Sequence, residues 1–532
     1  MQKNQTGFLL LAILFFSISL HAADFDVTKY GAVGDEKTLN TSFIQKAIDD
    51  CNKNGGGRVI FPAGKYLSGT IVLKDNVSLF FQKDAVLLGS TNVDDYQNMD
   101  PFTDGLGVDV GWALVVAVDA KNISIEGPGA IDGQGSKLKA EHILKDTRPE
   151  GQRWGRRPFL LRIVRCENVT VKDVSLFYSA AWTSHYFQSK KVRIENVKIL
   201  SRGVAHNDGI DIDGCQDVKI KGCDIVSGDD ALCFKTTSSK MACSNIEVSN
   251  MRLKSGHGAI KMGTESMAPF ENIKIRDCYI YETNNGGIKL LTVDGANLRN
   301  IEISDIQMVD VKTVILLRLG SRLNVFRKGH DEKQPTGTFE NVVIKNVKAK
   351  SADSTQLKPA SAILITGVPE HYITNVTLEN IEVDLPGGGG IEHARQSVPE
   401  AIDKYPEVKT FGPFVPAYGI WARHVKGLKL INVKFNLKNN DQRPAFVCED
   451  GKDIAVNDWK LSPTTGSESI IRLENVSGAE INKVETKTEA NAFVRVEGSQ
   501  SKDVRLSKNK IPGVKKKIDL SAELNAAVVV SD

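Results

Sequence analysis

The sequence predicts an all-β fold, a single right-handed parallel β-helix (a solenoid) with a capping helix at its N-terminal end. Three observations carry this prediction. A short unit of alternating apolar and polar residues recurs along the chain, as in Asn168-Val169-Thr170-Val171, Asn245-Ile246-Glu247-Val248, Asn272-Ile273-Lys274-Ile275 and Asn300-Ile301-Glu302-Ile303. Counted from the first apolar residue of each unit, the steps from Val192 through Val218, Ile246 and Ile273 to Ile301 are 26, 28, 27 and 28 residues. Gly, Asn and Asp separate the units, so a half-buried strand repeats at a nearly fixed interval between turns. A leucine-rich repeat has a similar period, but its leucine ladder is absent.

In chain order, residues 1–23 read as a secretory signal: Lys3, an apolar run from Phe8 to Leu20, then His21-Ala22-Ala23 for cleavage. The run is short for a membrane span. Residues 24–532 then form the solenoid domain, and a secreted or periplasmic monomer is expected. Thr41 to Cys51 carries Phe43, Ile44, Ala47 and Ile48 at helical spacing, the expected cap over open strand edges. Gly55-Gly56-Gly57 is a turn into the strand Arg58–Phe61, and Gly64-Lys65-Tyr66 lacks the pattern of a phosphate loop. Two stretches break the period, 96–158 and 385–425, and are expected as loops on one side of the solenoid. Eight cysteines in 532 residues are too few for a disulfide framework. Cys166, Cys215 and Cys243 each precede a repeat marker by three residues, which reads as a buried ladder, with a Cys215–Cys243 bridge as the alternative. The net charge of +3 has no basic block behind it, so neither nucleic acid nor membrane is an expected partner, and an acidic ligand has to be met by local cations.

Between residues 206 and 289 polar residues crowd behind successive markers. His206-Asn207-Asp208-Gly209-Ile210-Asp211, Gly228-Asp229-Asp230, Gly256-His257-Gly258 and Gly286-Gly287-Ile288-Lys289 lie on four consecutive repeats. Asp208 and Lys289 sit 16 residues past their markers, Asp229 and His257 sit 11 past theirs. Coils stacked about 4.8 Å apart would gather them into one patch. Crowded carboxylates repel, so at least one stays protonated as an acid while another is free to act as a base, the pair that glycoside hydrolysis requires. Singly, an Asp-Asp pair is more often a turn or a calcium ligand; the matched spacing favours the catalytic reading.

These motifs resemble those of the polygalacturonases, family 28 glycoside hydrolases, which run Asn-Thr-Asp-Gly, Gly-Asp-Asp, Gly-His-Gly and Arg-Ile-Lys. Gly228-Asp229-Asp230 and Gly256-His257-Gly258 match fully. In the first motif Asn207 stands for Thr and His206 for Asn; in the fourth, Gly287 stands for Arg. Phe25-Asp26-Val27-Thr28-Lys29-Tyr30-Gly31-Ala32, Phe61-Pro62-Ala63-Gly64-Lys65-Tyr66 and Arg157-Pro158 also resemble the family, and the likeness is specific from about residue 25 to 325. The resemblance implies a hydrolase of galacturonate-containing pectic polysaccharide or oligosaccharide, acting by inversion without metal or cofactor. Asp229 would be the general acid, Asp208 and Asp230 would activate water, His257 would support the acid, and Lys289 would grip a sugar carboxylate. With Gly287 in place of Arg, Arg318 (17 residues past Ile301) and Arg322 are the expected replacement clamp, and unbranched polygalacturonate is expected to be a weak substrate. Two closed groove ends would make the enzyme exo-acting. The alternatives are a calcium-dependent pectic lyase on the same fold and a non-catalytic carbohydrate-binding β-helix.

Overall fold

The residue before each repeat marker sets the coil. Asn122, Asn168, Asn245, Asn272, Asn300, Asn341 and Asn375 all have φ between 54° and 59°. Asn and Asp tolerate this left-handed conformation better than other side-chain-bearing residues, so a sharp corner is encoded at one point per coil. The corner side chains then bond to one another between coils: Asn122 Nδ2 donates to Asn76 Oδ1 at 2.8 Å, Asn168 to Asn122 at 2.8 Å, and Asn300 to Asn272 at 3.2 Å. The strand that follows each corner is therefore held in register before its apolar residues pack.

That register is the one the repeat spacing predicts. In this computed structural model, which describes residues 23–531, Ile123, Val169, Val192, Val218, Ile246, Ile273, Ile301, Val342 and Val376 pair one with the next in parallel. Strands make up 54% of the chain, and it is a right-handed parallel β-helix. The reading of residues 1–23 as a signal falls, but for Ala23, outside the described residues. A typical coil has three strands, such as Lys190–Glu195, Lys198–Ser201 and Ile210–Asp213. Coils continue to Val529–Ser531, which pairs with Lys502–Ser507.

The third strand of each coil carries the site. Its inward residues form one continuous core: Ile212, Phe234, Met262, Leu290, Leu317 and Ile365 are all at 0% exposure. Its outward residues form a second ladder, Arg162, His185, Asp211, Cys233, Lys261, Lys289, Leu316, Leu364, Trp421 and Val447 in successive register. These outward residues are buried too, because loops cover them.

A helix, α1 (Thr41–Lys53), packs Ile44, Ala47, Ile48 and Cys51 against the first coil at Gly57–Phe61 and Ile71–Leu73. The stretch 96–158 holds the one strand that its repeat unit Lys121-Asn122-Ile123-Ser124-Ile125 predicts, and two more beside it. A coil runs through it as Asp109–Val118, Lys121–Glu126 and Ala130–Asp132. What is inserted is the hairpin formed by Gln97–Thr103 with Asp109–Val118, and a helical segment containing Gly135–Glu141 and Glu150–Gly155. The second insertion is a loop with short turns that ends at the strand Ile420–Lys426. All eight cysteines are free and buried, so Cys215 and Cys243 are not bridged. Their thiols donate to the carbonyls of Tyr186 and Ile212 instead, and burial pushes the Cys243 thiol up to about 12.

Candidate active site

Parallel register decides which charged groups meet. The hydrogen bonds Gly209 N to Asp230 O and Ala231 N to Gly258 O stack Asp208 over Asp230 and Asp230 over Gly258. Asp229 and His257 lie one residue earlier in the same two coils. Asp229, Asp230 and His257 each bring a polar atom to within 4.8 Å of the others, as do Asp208, Asp230 and Cys233. Asp208, Asp229, Asp230 and His257 thus converge as their spacing predicts.

Each aspartate has a different environment. Asp230 is buried, which by itself would raise its carboxyl, but the Lys261 ammonium and the hydrogen bond with His257 outweigh burial and hold it well below the usual carboxylate range. Lys261 Nζ donates to its Oδ2 at 2.6 Å, His257 Nδ1 lies 3.2 Å from Oδ1, and Gly258 N donates to Oδ1 at 3.0 Å. Asp208 is pushed the other way, well up, first by burial and then by the neighbouring Asp211 carboxyl. Burial likewise raises Asp211 to about 7. Lys235 lies 3.3 Å from Asp208, 3.5 Å from Asp211 and 3.6 Å from Glu265, so one ammonium serves three acids. Two carboxyls buried side by side resist carrying two negative charges at once. Asp229 keeps 26% side-chain exposure and faces the opening, 3.9 Å from His257. Lys235 and Lys261 place beside these carboxylates the positive charge that a bound cation would otherwise supply.

Around them lies a small cavity of ≈ 60 Å³, lined on one wall by Asp104, Gly105 and Leu106 of the first insertion and on another by Tyr405 of the second. Gly105 N donates to Glu265 Oε1 at 2.9 Å, which pins the first wall. Tyr405 Oη bonds with Thr264 Oγ1 at 2.8 Å, which pins the second. A larger groove of ≈ 720 Å³ runs over another face, along Tyr279, Gln307 and Lys348, away from these carboxylates.

Three predicted sugar contacts stand differently. Lys289 lies in the ladder next to Lys261, but its ammonium is fully buried and donates to both oxygens of Glu407, at 3.0 and 3.1 Å. Arg318 is not a clamp. Lys289 pairs with Leu316, whereas Arg318 pairs with Leu291, two residues farther along the strand. There its guanidinium donates to Thr366 Oγ1 and to the carbonyls of Gly367, Glu400 and Ala401, under the second insertion. Arg322 is likewise committed, its Nε and Nη2 both bonded to Asp294 and its plane 5.5 Å from the Tyr405 ring. Both arginines hold loops in place. Position 287 gives the reason that no arginine stands there: a Cβ on Gly287 would lie 2.5 Å from Met308 Sδ, pointing into the core.

Sequence reasoning missed Lys235, Lys261, Glu265 and Trp182, and it singled out the run Tyr405-Pro406-Glu407 as a cleft wall without giving it a role. The lysines had a signal, a cation within an apolar strand (Leu232-Cys233-Phe234-Lys235 and Ile260-Lys261-Met262) on the pattern of Ile288-Lys289-Leu290. Glu265 and Trp182 had none.

Comparison with known proteins supports the same assignment. The chain is 25% identical over 399 residues to "Probable polygalacturonase" of Vitis vinifera, covering 71% of this chain and 78% of that protein. It is 27% identical over 391 residues to "Exo-poly-alpha-D-galacturonosidase" of Dickeya chrysanthemi, covering 64% of each. It is 26% identical over 363 residues to "Endo-polygalacturonase" of Pectobacterium carotovorum, covering 61% and 87%. The family 28 exopolygalacturonase structure from Yersinia enterocolitica shares the fold, with a TM-score of 0.66 at 21% identity over 81% of this chain and 78% of that one. Residues 51–401, more than half of the chain, match "Glycosyl hydrolases family 28". The protein belongs to glycosyl hydrolase family 28 and is a glycoside hydrolase.

Proposed function

We propose that the protein is an exo-acting, inverting hydrolase of galacturonate-containing pectic chains. The observation that carries this reading is the division of labour among three adjacent aspartates. Asp230, kept ionised by Lys261, His257 and the Gly258 amide, is the base. Asp229, the exposed member beside His257, is the acid that protonates the leaving oxygen. Asp208, stacked on Asp230 beside Lys235, holds the attacking water with Asp230. A water set opposite the leaving oxygen gives single-step inversion. Relatives named for galacturonan cleavage support the substrate class, and they include both exo- and endo-acting enzymes.

Exo action is supported by the two insertions, which wall the cavity from opposite directions through Asp104–Leu106 and Tyr405. The charged-then-apolar pattern of residues 1–23 supports a secreted or periplasmic location, and the chain is read as acting as a monomer without metal. The lyase reading is less favoured, because the matching family is one of glycosyl hydrolases and the relatives are named for hydrolytic cleavage of galacturonan. The test is digestion of pectic polymers with and without EDTA. Reducing ends should appear steadily while viscosity barely falls, undiminished by chelator. An early collapse of viscosity would show endo action, and an ultraviolet-absorbing unsaturated uronide would show a lyase.

A further inference from the structure

Glu407 arrives from the second insertion at the point where the fourth motif was expected to meet a sugar carboxylate. Its two oxygens take Lys289 Nζ at 3.0 and 3.1 Å, it accepts from Asn285 Nδ2, and its Oε1 lies 3.5 Å from His257 Nε2. An ammonium, an amide and an imidazole around one carboxylate make a carboxylate-binding site, and the protein's own side chain fills it. Burial would raise the Glu407 carboxyl, yet Lys289 and His257 hold it below the ordinary range, so it is charged. A uronate carboxylate brought here would meet Glu407 at close range, and the cations on the strands around it are already paired. Lys261 is spent on Asp230, Arg322 on Asp294, Arg318 on backbone carbonyls, and position 287 is glycine.

The adjoining cavity has the same bias. Its lining holds five carboxylates, Asp104, Asp208, Asp229, Asp230 and Glu265, against two ammonium groups, Lys235 and Lys261. Even with two of those carboxyls protonated the surplus stays negative. The uncharged part of the wall is Leu106, 59% exposed, with Trp182 and Tyr405, surfaces that suit the C–H face of a sugar. We infer that Glu407 determines specificity by occupying the carboxylate site, so that the sugar seated against Lys289 and His257 is a neutral one at the end or branch of a pectic chain. This rests on the hydrolase reading above and narrows its substrate.

The experiment uses the full chain as wild type, Glu407→Gln, and Glu407→Gln combined with Lys289→Met. Binding of D-galacturonate is measured by calorimetry, and cleavage of oligogalacturonates is compared with cleavage of a pectic polymer carrying neutral terminal sugars. Matched melting temperatures establish that the variants are folded. Wild type should bind galacturonate weakly or not at all and prefer the neutral-ended polymer. Glu407→Gln, which frees Lys289, should bind galacturonate about tenfold or more tighter, the scale of one charge-assisted contact. It should also shift its preference toward oligogalacturonate, and the double variant should lose both gains. Wild type binding galacturonate as tightly as Glu407→Gln would overturn the inference, since the acid would then be displaceable. The binding measurement stands apart from catalysis: failure to cleave any pectic polymer would overturn the hydrolase reading, whereas galacturonate binding decides the role of Glu407.

Discussion

The outward ladder of the third strands has two characters within a few coils. At Asp211, Lys261 and Lys289 it is charged, and Lys261 lines the cavity. At Leu316, Leu364, Trp421 and Val447 it is apolar and packs with Leu291, Val398, Val408, Phe411 and Val415 in a separate buried cluster. On the other side, Val116 and Phe159 pack with Phe102, Val110 and Trp182 of the first insertion and its surroundings. The inward ladder does not change across these regions. A catalytic coil and a structural coil thus share one core and differ in what the outer face meets. Where it is apolar it anchors a loop, and where it is charged it has been left for chemistry. The two anchored loops then lean back over the charged stretch from either side.

Replacing the exposed acid breaks the charged side most sharply. Asp229→Asn should lower turnover about 10²- to 10⁴-fold, the scale of general acid catalysis, with an unchanged melting curve. A variant retaining a tenth of the activity would contradict the assignment. The apolar side should respond in the opposite sense. Trp421→Ala removes a side chain at 0% exposure from beneath the second insertion and should cost about 3–5 kcal/mol in denaturant unfolding. Since Tyr405 and Glu407 belong to the loop that packs there, activity should fall as well, and rescue by Trp421→Phe would tie the loss to packing.

The third test is a pH profile. Asp230 acts when ionised and is held well below the usual range, so wild-type kcat/KM should persist to low pH. Lys261→Met removes the partner at 2.6 Å and should move the acid limb upward by about one unit or more. An unmoved limb would show that Asp230 is not the base. The smallest effect concerns stability. Burial raises Asp211 from 3.8 to about 7. A group with a raised folded value contributes stability that is fully present below its unfolded value and lost as pH rises through the folded one. Wild type should therefore lose melting temperature between about pH 4 and pH 7, relative to Asp211→Asn; parallel curves would show that burial does not raise Asp211.

What was legible in the sequence follows the same division. The register was legible because an asparagine in a left-handed corner precedes nearly every marker, and the strand after it can pair only one way. Asp229 and His257 were legible because the chain from corner to site has the same length in both coils. The Arg318 prediction went wrong because that length differs by one in the next coil: Lys289 lies 16 past its marker, and its partner Leu316 lies 15 past. Lys235 and Lys261 were passed over because a lysine in a strand reads as a solvent-facing residue, whereas here loops bury the outer face. The run Tyr405-Pro406-Glu407 stood out by its aromatic and charged residues as a cleft wall, but its contacts were not readable, since Glu407 and Tyr405 reach Lys289 and Thr264 across 118 and 141 residues of chain, and nothing periodic marks the loop.

The pairing of markers between coils also has a kinetic consequence. Lys190 pairs with Glu167, Ile273 with Ile246 and Ile420 with Ile363, so strand contacts join residues at least a full coil apart. Such contacts are closed only after a loop's worth of chain entropy has been lost, and each coil presents the edge on which the next can form. Assembly should run as a zipper from a slow first nucleus, and the reverse process has to start by fraying a terminal coil. With no disulfide to hold a partly unzipped chain, the barrier to that first fraying, more than the equilibrium free energy, should set how long the enzyme survives at elevated temperature.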